Sequence, residues 1–203
     1  MARDRPPEHP VTLFHKAESL SEQADEQLPS GKLRMIITYL ELTHSKQYDR
    51  QPSRSENLSV IRAHDPHAGF YRYLYNAVGE KWLWYERNLL SDEELENIIR
   101  NPKVKIYVLY INGTPAGFGE LDCQVKKQVQ LAYFGLMPQY FGRGLGKYFL
   151  RHLIESAWAD KPDRVWVHTC NFDAPSAMAT YQIFGFTPYR QEIRIIDDPR
   201  NNN

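Results

Sequence analysis

The sequence predicts a mixed α/β fold in which helices cover the faces of one sheet. Runs with strand-like alternation of apolar and polar residues occur near the start, in the middle and at the end of the chain. Segments with a 3.6-residue apolar period lie between these runs. The predicted order is a strand, helices, a three-strand meander, and then helix, strand, helix and strand, which indicates a mixed sheet with helices on its faces.

The first part of the chain divides into an N-terminal arm and the start of a domain. Residues 1–31 are rich in Pro, Glu, Asp, Gln and Ser, a composition that favours a flexible or irregular segment. Residues 32–203 are expected to form a single domain. Within it, residues 33–42 and 58–62 have strand patterns, and the polar residues 45–57 predict a loop between them.

Two helices and a meander are predicted next. Residues 70–77 form a helix that ends at Gly79, and residues 91–100 form a second helix that begins with a capping box. The dipeptide Asn112-Gly113 is a strong signal for a two-residue hairpin turn. The strands predicted around and after this turn are residues 104–111, 116–123 and 125–137.

The last third alternates between helices and strands. One helical stripe after Pro138 contains seven apolar residues, namely Leu145, Phe149, Leu150, Leu153, Ile154, Ala157 and Trp158. Residues 164–169 have a strand pattern, and residues 174–184 form a helix that is closed by Gly185. Residues 187–196 supply the last predicted strand.

Composition excludes several classes of protein. The chain has 25 basic and 25 acidic residues, so no overall field attracts it to nucleic acid or to an anionic membrane. No apolar run has the length of roughly 20 residues that a membrane span needs, and the first residues lack the apolar core of a signal peptide. A cytoplasmic location is therefore expected. Cys123 and Cys170 lack the spacing of metal ligands, so no metal is expected.

A glycine-rich turn between a predicted strand and helix is the most informative segment. Free N–H groups at a helix start, together with about half a positive charge from the helix dipole, bind anions such as a diphosphate. The dinucleotide pattern G-x-G-x-x-G fails because Lys147 occupies its last glycine, and the P-loop pattern fails because Tyr148 replaces Ser or Thr. The third pattern, Q/R-x-x-G-x-G/A, matches at Gln139, Gly142 and Gly144.

This third pattern resembles the pyrophosphate loop of the GNAT superfamily of acetyl-coenzyme A-dependent N-acetyltransferases. Residues 177–186 are similar to the closing A-x-x-x-Y-x-x-x-G-F segment of that superfamily, and the resemblance extends over residues 104–196. The fold that it implies is a central, twisted, mostly antiparallel sheet of about six to seven strands, flanked by about four helices and splayed at the cofactor strand. The implied activity is transfer of an acetyl group from acetyl-coenzyme A to a primary amine in a ternary complex.

The resemblance also implies roles for individual residues. Tyr181 matches the tyrosine that protonates the departing thiolate, and Glu120 is the predicted general base because Gln130 stands where relatives carry a glutamate. Gly135 is expected to mark a bulge or a close backbone approach, and the amide of Leu136 or Met137 is expected to polarise the thioester carbonyl. The cofactor-binding residues implied in total are Leu136, Met137, Gln139, Phe141, Gly142, Arg143, Gly144, Leu145, Gly146, Asn171 and Tyr181, with Asp173 as an alternative to Asn171.

The acceptor side is less defined by the sequence. Trp82, Trp84, Tyr133 and His168 are predicted to line the acceptor site, and packing in the core is the alternative for each of them. The identity of the amine, the acyl-chain preference and the oligomeric state stay open, although a homodimer agrees with the resemblance. The alternative function is a non-catalytic coenzyme A-binding sensor or interaction module with the same fold.

Overall fold

The computed structural model describes residues 28–45 and 57–202. A seven-stranded sheet lies at its centre, with the strand order β2-β3-β4-β5-β6-β1-β7. The strands are β1 (Lys32–Leu42), β2 (Leu58–Ala63), β3 (Val104–Ile111), β4 (Thr114–Asp122), β5 (Gln128–Leu136), β6 (Arg164–Cys170) and β7 (Thr187–Asp197). The helices are α1 (Ala68–Gly79), α2 (Asp92–Ile99), α3 (Leu145–Trp158) and α4 (Ala177–Ile183). The predicted N-terminal arm, up to residue 27, and most of the predicted loop at 45–57 lie outside the described residues.

The structure confirms the predicted mixed fold with a mostly antiparallel sheet. Every strand pair is antiparallel except β5 with β6. Local signals account for several elements, since Ser91 and Glu94 form both hydrogen bonds of the capping box at α2. Asn112 and Gly113 adopt φ values of 50° and 82°, which suit a two-residue hairpin turn.

Two predicted element starts are each wrong by three residues. The strand predicted to begin at residue 125 begins at Gln128, because Lys127 adopts a left-handed φ of 65° in a turn. The helix predicted to begin at residue 174 begins at Ala177, because the side chain of Asp173 accepts a hydrogen bond from the Cys170 N–H and stabilises an irregular turn before it.

Two apolar cores lie on opposite faces of the sheet. On one face, α1 places Tyr71 and Leu74 beside Phe118 of β4, and all three side chains are fully buried. On the other face, the apolar stripe of α3 packs over β4, β5 and β6, with Phe149 and Leu153 fully buried. Phe118 and Leu121 of β4, an odd number of residues apart, therefore point to different cores, as the two-residue period of a strand requires.

The N-terminal strand β1 occupies an internal position between β6 and β7 and pairs with both. In this register Tyr39 lies opposite His168 on one side and opposite Arg190 on the other. Side chains of β6 and of the closing strand β7 thereby lie on the same face of the sheet, with those of β1 between them. In the part of the chain that the structure describes, no helix has the length and apolar character that a membrane span would need.

Candidate active site

The glycine-rich turn leads directly from β5 into α3. A short 3-10 segment, Pro138–Tyr140, follows β5, and α3 begins at Leu145 after Gly142 and Gly144 adopt left-handed φ values of 74° and 70°. A side chain at Gly142 would meet no atom within 4 Å, and one at Gly146 would meet only Leu136 at 3.8 Å. The face of the turn is therefore open, as a site for a phosphate close to the backbone requires.

A gap opens in the sheet beside this turn. β5 and β6 pair only from Gln128 with Arg164 to Leu131 with Val167, although both strands continue. The register between β4 and β5 skips Ala132, so a bulge bends β5 away at the point where the pairing stops. The expected bulge thus lies at Ala132 and not at Gly135, which instead marks a close approach, since a Cβ there would lie 2.4 Å from Val78.

A groove of about 1230 Å³, called the central groove below, extends from this gap across the sheet. Its walls are the ends of β5 and β6, the glycine-rich turn, the segment of residues 82–90 and one face of β1 and β7. The predicted site residues that line it are Leu136, Phe141, Gly142, Gly144, Leu145, Gly146, Tyr181, Trp82, Trp84, Tyr133 and His168. Most of the residues predicted for the cofactor and the acceptor therefore share one cavity.

Of the two backbone amides predicted to face the thioester, only one points into the gap. The N–H of Met137 donates to the carbonyl of Ala116 in β4 over 2.8 Å. Consecutive N–H groups of a strand point in opposite directions, so the N–H of Leu136 points away from β4, towards the space that β6 has left. The geometry favours Leu136 and excludes Met137 for this role.

Three other predicted cofactor residues do not line the groove. The Asn171 side chain accepts from the Ile36 N–H and donates to the Arg34 carbonyl, so both ends of its amide are bound to β1. Gln139 and Arg143 are exposed beside the turn, where Gln139 contacts Met137 and the Arg143 guanidinium lies 5.6 Å from the Tyr140 ring. Asp173, the predicted alternative to Asn171, does line the groove.

The Tyr181 side chain lies at the base of the central groove, on α4. Its ring contacts Phe134 and Phe186, at centroid distances of 6.3 and 5.9 Å, and only 6% of the residue is exposed. Burial, together with the carboxylate of Asp173, raises the pKa of Tyr181 above its ordinary value of 10.0. The phenol therefore retains its proton at neutral pH and can donate it.

The prediction that Glu120 is the general base does not agree with its surroundings. Glu120 is only 1% exposed and does not line the central groove. Arg87 donates to its Oε1 over 2.7 Å, and the Tyr71 hydroxyl donates to its Oε2 over 2.5 Å. Because one oxygen is occupied by the buried Tyr71 hydroxyl and the other by the Arg87 guanidinium, this carboxylate anchors residue 87 to β4 instead of facing a substrate.

One side of the groove, where the acceptor residues are predicted, has an aromatic wall. Trp84 contacts Tyr133 and Tyr75, with ring centroids 5.2 and 5.6 Å apart, and the Arg87 guanidinium lies 5.3 Å from the centre of the Tyr133 ring. Trp82 lies closer to the glycine-rich turn, since its ring is 6.4 Å from that of Phe141. Trp82 thus connects the aromatic wall to the turn.

His168 extends from β6 into the same groove. Its ring lies 5.8 Å from Tyr39 and 6.3 Å from Trp166. Burial lowers the pKa of His168 below 6.5, although the carboxylates of Asp173 and Glu86 oppose this effect. The imidazole is therefore neutral at pH 7.

The sequence reasoning missed several charged residues that line the groove, among them Glu86, Arg87, Arg190 and Glu192. Oε2 of Glu86 accepts from the Tyr75 hydroxyl and the Tyr85 N–H, over 3.0 and 3.3 Å, and its Oε1 has no partner among the residues described. The sequence offered no signal for these residues, since a charged side chain in a loop or on an edge strand is ordinarily solvated. No group of three His, Cys, Asp or Glu side chains within residues 28–45 and 57–202 could hold a metal ion.

Sequence comparison gives the family to which this fold and groove belong. The model of the acetyltransferase (GNAT) family matches residues 54–186, more than half of the chain. The protein belongs to the GNAT acetyltransferase family, whose members use acetyl-coenzyme A. A comparison with curated protein sequences found no significant match.

Solved structures with the same fold are distant in sequence. A putative GNAT acetyltransferase from Novosphingobium aromaticivorans is 16% identical, with a TM-score of 0.57, over 85% of this chain and 70% of that one. The ribosomal-protein-S18-alanine N-acetyltransferase of Escherichia coli is also 16% identical, with a TM-score of 0.55, over 70% and 94%. An aminoglycoside N-acetyltransferase in complex with coenzyme A is 15% identical, with a TM-score of 0.52, over 69% and 95%. At these identities the likeness shows the fold alone.

Proposed function

We propose that this protein is an N-acetyltransferase that uses acetyl-coenzyme A and acetylates a primary amine of a small molecule or a protein. One observation supports this proposal most strongly. The open glycine-rich turn, the gap between β5 and β6 and the phenol of Tyr181 all face one groove. When bound, acetyl-coenzyme A supplies an acetyl group activated as a thioester, which the amine takes up by direct attack in a ternary complex.

The residues of the turn would bind the cosubstrate through its diphosphate. The backbone N–H groups of Gly142, Leu145 and Gly146 lie in the turn and at the start of α3, where the helix dipole adds to their attraction for an anion. The N–H of Phe141 is not among them, because it donates to the Pro138 carbonyl over 3.2 Å. The N–H of Leu136 would donate to the thioester oxygen, where negative charge develops during attack. Both contacts are made by the main chain, so they depend on the backbone geometry of the turn and of β5.

Two proton transfers are required, and each has a candidate in the groove. Tyr181 would donate its proton to the sulfur as it leaves, since its raised pKa keeps the phenol protonated until that step. An amine with an ordinary pKa of about 10.4 must also lose a proton before attack. We assign this role to the neutral imidazole of His168, with the free oxygen of Glu86 holding the ammonium before transfer.

Binding and transfer can be tested separately. Acetyl-coenzyme A at about one hundred times its Kd should stabilise the fold by roughly 2.7 kcal/mol in thermal unfolding. Release of the thiol with a panel of amines then tests transfer. Stabilisation without thiol release for any amine would favour the non-catalytic sensor, and no stabilisation would contradict both functions.

A further inference from the structure

The outer end of the central groove contains an ion cluster on β7 and β1. The Arg190 guanidinium donates to Oε2 of Glu192 over 2.7 Å, and Arg194 pairs with the other oxygen of the same carboxylate. The Tyr39 hydroxyl also donates to Glu192, over 3.2 Å. Two guanidinium groups therefore share one carboxylate, and the cluster retains a net charge of one positive unit.

Arg190 has donors available for a ligand. Its Nη2 bonds Glu192, and the remaining nitrogens have no protein partner within the described parts of the chain. Its guanidinium carbon lies 5.1 Å from the centre of the Tyr39 ring, and its side chain is 46% exposed. The planar group is thus held against an aromatic face with its free edge in the groove, an arrangement that suits recognition of an oxyanion.

The inner end of the same groove has the opposite charge. Glu86 and Asp173 line the groove there, and the negative charge of both carboxylates opposes the lowering of the His168 pKa by burial. The Asp173 oxygens are already bonded by Trp84, Thr169 and the Cys170 N–H. The free Oε1 of Glu86 is therefore the group available to an ammonium at this end.

The sheet register sets the separation of the two ends. Tyr39 lies between His168 and Arg190 in adjacent strands, and strands are roughly 4.8 Å apart. The backbones at His168 and Arg190 are therefore separated by roughly 10 Å, with the Tyr39 ring between their side chains. A single small molecule can contact both ends.

Resting on the proposed function, we infer that the acceptor is an amine that also carries an anionic group, a carboxylate or a phosphate. Its ammonium lies between Glu86 and His168, its chain lies along Tyr39, and its anion is bound by Arg190. A simple cationic amine would leave the positive end of the groove without a partner.

The test compares acceptors that differ only in this charge. The probes are ω-amino acids and ω-aminoalkyl phosphates of increasing chain length, each acid paired with its neutral amide and each phosphate with its neutral alcohol. We expect the charged member to have a kcat/KM about tenfold higher, as a charge-assisted hydrogen bond provides. The chain length with the highest kcat/KM then gives the distance between the amine and the anion. Comparison of the amino acids with the aminoalkyl phosphates shows whether the anion is a carboxylate or a phosphate.

Arg190→Gln should lower the charged-to-neutral ratio to about one, mainly through a higher KM. Arg200→Gln is the matched control, because Arg200 is an exposed arginine that pairs with Asp198 outside the groove. It should retain the ratio of the wild type. Equal kcat/KM for charged and neutral probes in the wild type, or an unchanged ratio in Arg190→Gln, would overturn the inference.

A binding measurement separates failure of this inference from failure of the proposed function. Calorimetry with coenzyme A present should give a Kd about tenfold lower for the charged probes than for the neutral ones, and Arg190→Gln should abolish that difference. If this holds while no probe releases thiol, transfer to these amines fails and the anion site stands. If all probes bind equally or none binds, the anion site is wrong.

Discussion

Trp84 and Asp173 connect the two walls of the central groove. Nε1 of Trp84 donates to Oδ1 of Asp173 over 3.3 Å, from the segment after α1 to the turn after β6. Asp173 is itself fixed, because its Oδ2 accepts from the Thr169 hydroxyl and the Cys170 N–H. The indole fits over Gly79, where a Cβ would lie 2.5 Å from the ring. One hydrogen bond and one close contact therefore position the aromatic wall of the groove.

Gly79→Ala should destabilise the protein by about 1–3 kcal/mol, because the added methyl group overlaps the Trp84 indole. The backbone at Gly79 has φ −91° and ψ −16°, which alanine adopts without strain. In a Trp84→Ala background the same change should therefore be neutral or stabilising by about 0.4–1 kcal/mol. Urea unfolding of the four variants measures both values, and an equal penalty in the two backgrounds would show that the indole is not the obstacle.

Gly142→Ala and Gly113→Ala form a matched pair. Both glycines have positive φ values, 74° and 82°, and in both cases a Cβ would meet no atom within 4 Å. Each substitution should cost about 1 kcal/mol of stability from backbone strain alone. Only Gly142→Ala should also raise the Kd for acetyl-coenzyme A, by about tenfold or more, because its methyl group would stand between the turn and a phosphate. Equal affinities in calorimetry would place the diphosphate elsewhere.

The sequence predicts those elements whose signals are local. The capping box at Ser91, the Asn112-Gly113 turn and the apolar stripe of α3 each depend on residues close in the chain, and each is present. The fold class and the position of the glycine-rich turn follow from such signals and from the family resemblance.

Long-range pairing was not predictable in the same way. The position of β1 between β6 and β7 is set by contacts across more than 120 residues, for example between Arg164 and Glu41. The environment of Glu120 has the same origin, since its partners Tyr71 and Arg87 lie 49 and 33 residues away. A glutamate in a strand has the same local pattern whether it faces a substrate or a buried arginine.

Glu120→Gln should lower the free energy of unfolding by roughly 3 kcal/mol, because it leaves the Arg87 guanidinium buried without its counter-charge. The exposed pair of Lys32 with Asp197 gives the control, and Asp197→Asn should cost less than about 1 kcal/mol. Below its unfolding temperature Glu120→Gln should keep the pH–rate profile of the wild type. Loss of the acidic limb in that profile would restore Glu120 as the base.

His168 should make stability depend on pH in a defined direction. Burial holds the pKa of His168 in the folded state below 6.5. Just below pH 6.5 the imidazole is therefore protonated in the unfolded chain but still neutral in the folded protein. The carboxylates of Asp173, Glu86 and Glu192 oppose this shift, and Arg194 adds to it. The stabilising contribution of the neutral His168 is therefore fully present above pH 6.5 and is lost as the pH falls below that value.

His168→Asn removes this contribution, so the variant should lose less stability than the wild type between about pH 7.5 and pH 5.5. Each unit by which folding lowers the His168 pKa corresponds to about 1.4 kcal/mol of additional stability lost by the wild type relative to the variant. Burial also lowers the pKa of His152, but His152 is present in both proteins and its effect cancels. Parallel stability curves would mean that the imidazole titrates normally.

Tyr181→Phe should lower kcat by about one hundredfold and leave the Kd for acetyl-coenzyme A within about twofold, as expected for removal of a general acid. The ring contacts with Phe134 and Phe186 remain, so packing changes little. Tyr73→Phe is the control, because Tyr73 is 50% exposed on α1 and does not line the groove. A single-turnover measurement separates the chemical step from release of the product. Unchanged single-turnover rates in Tyr181→Phe would show that water or another group protonates the sulfur, and a rise in Kd of the same size would make Tyr181 a binding residue instead.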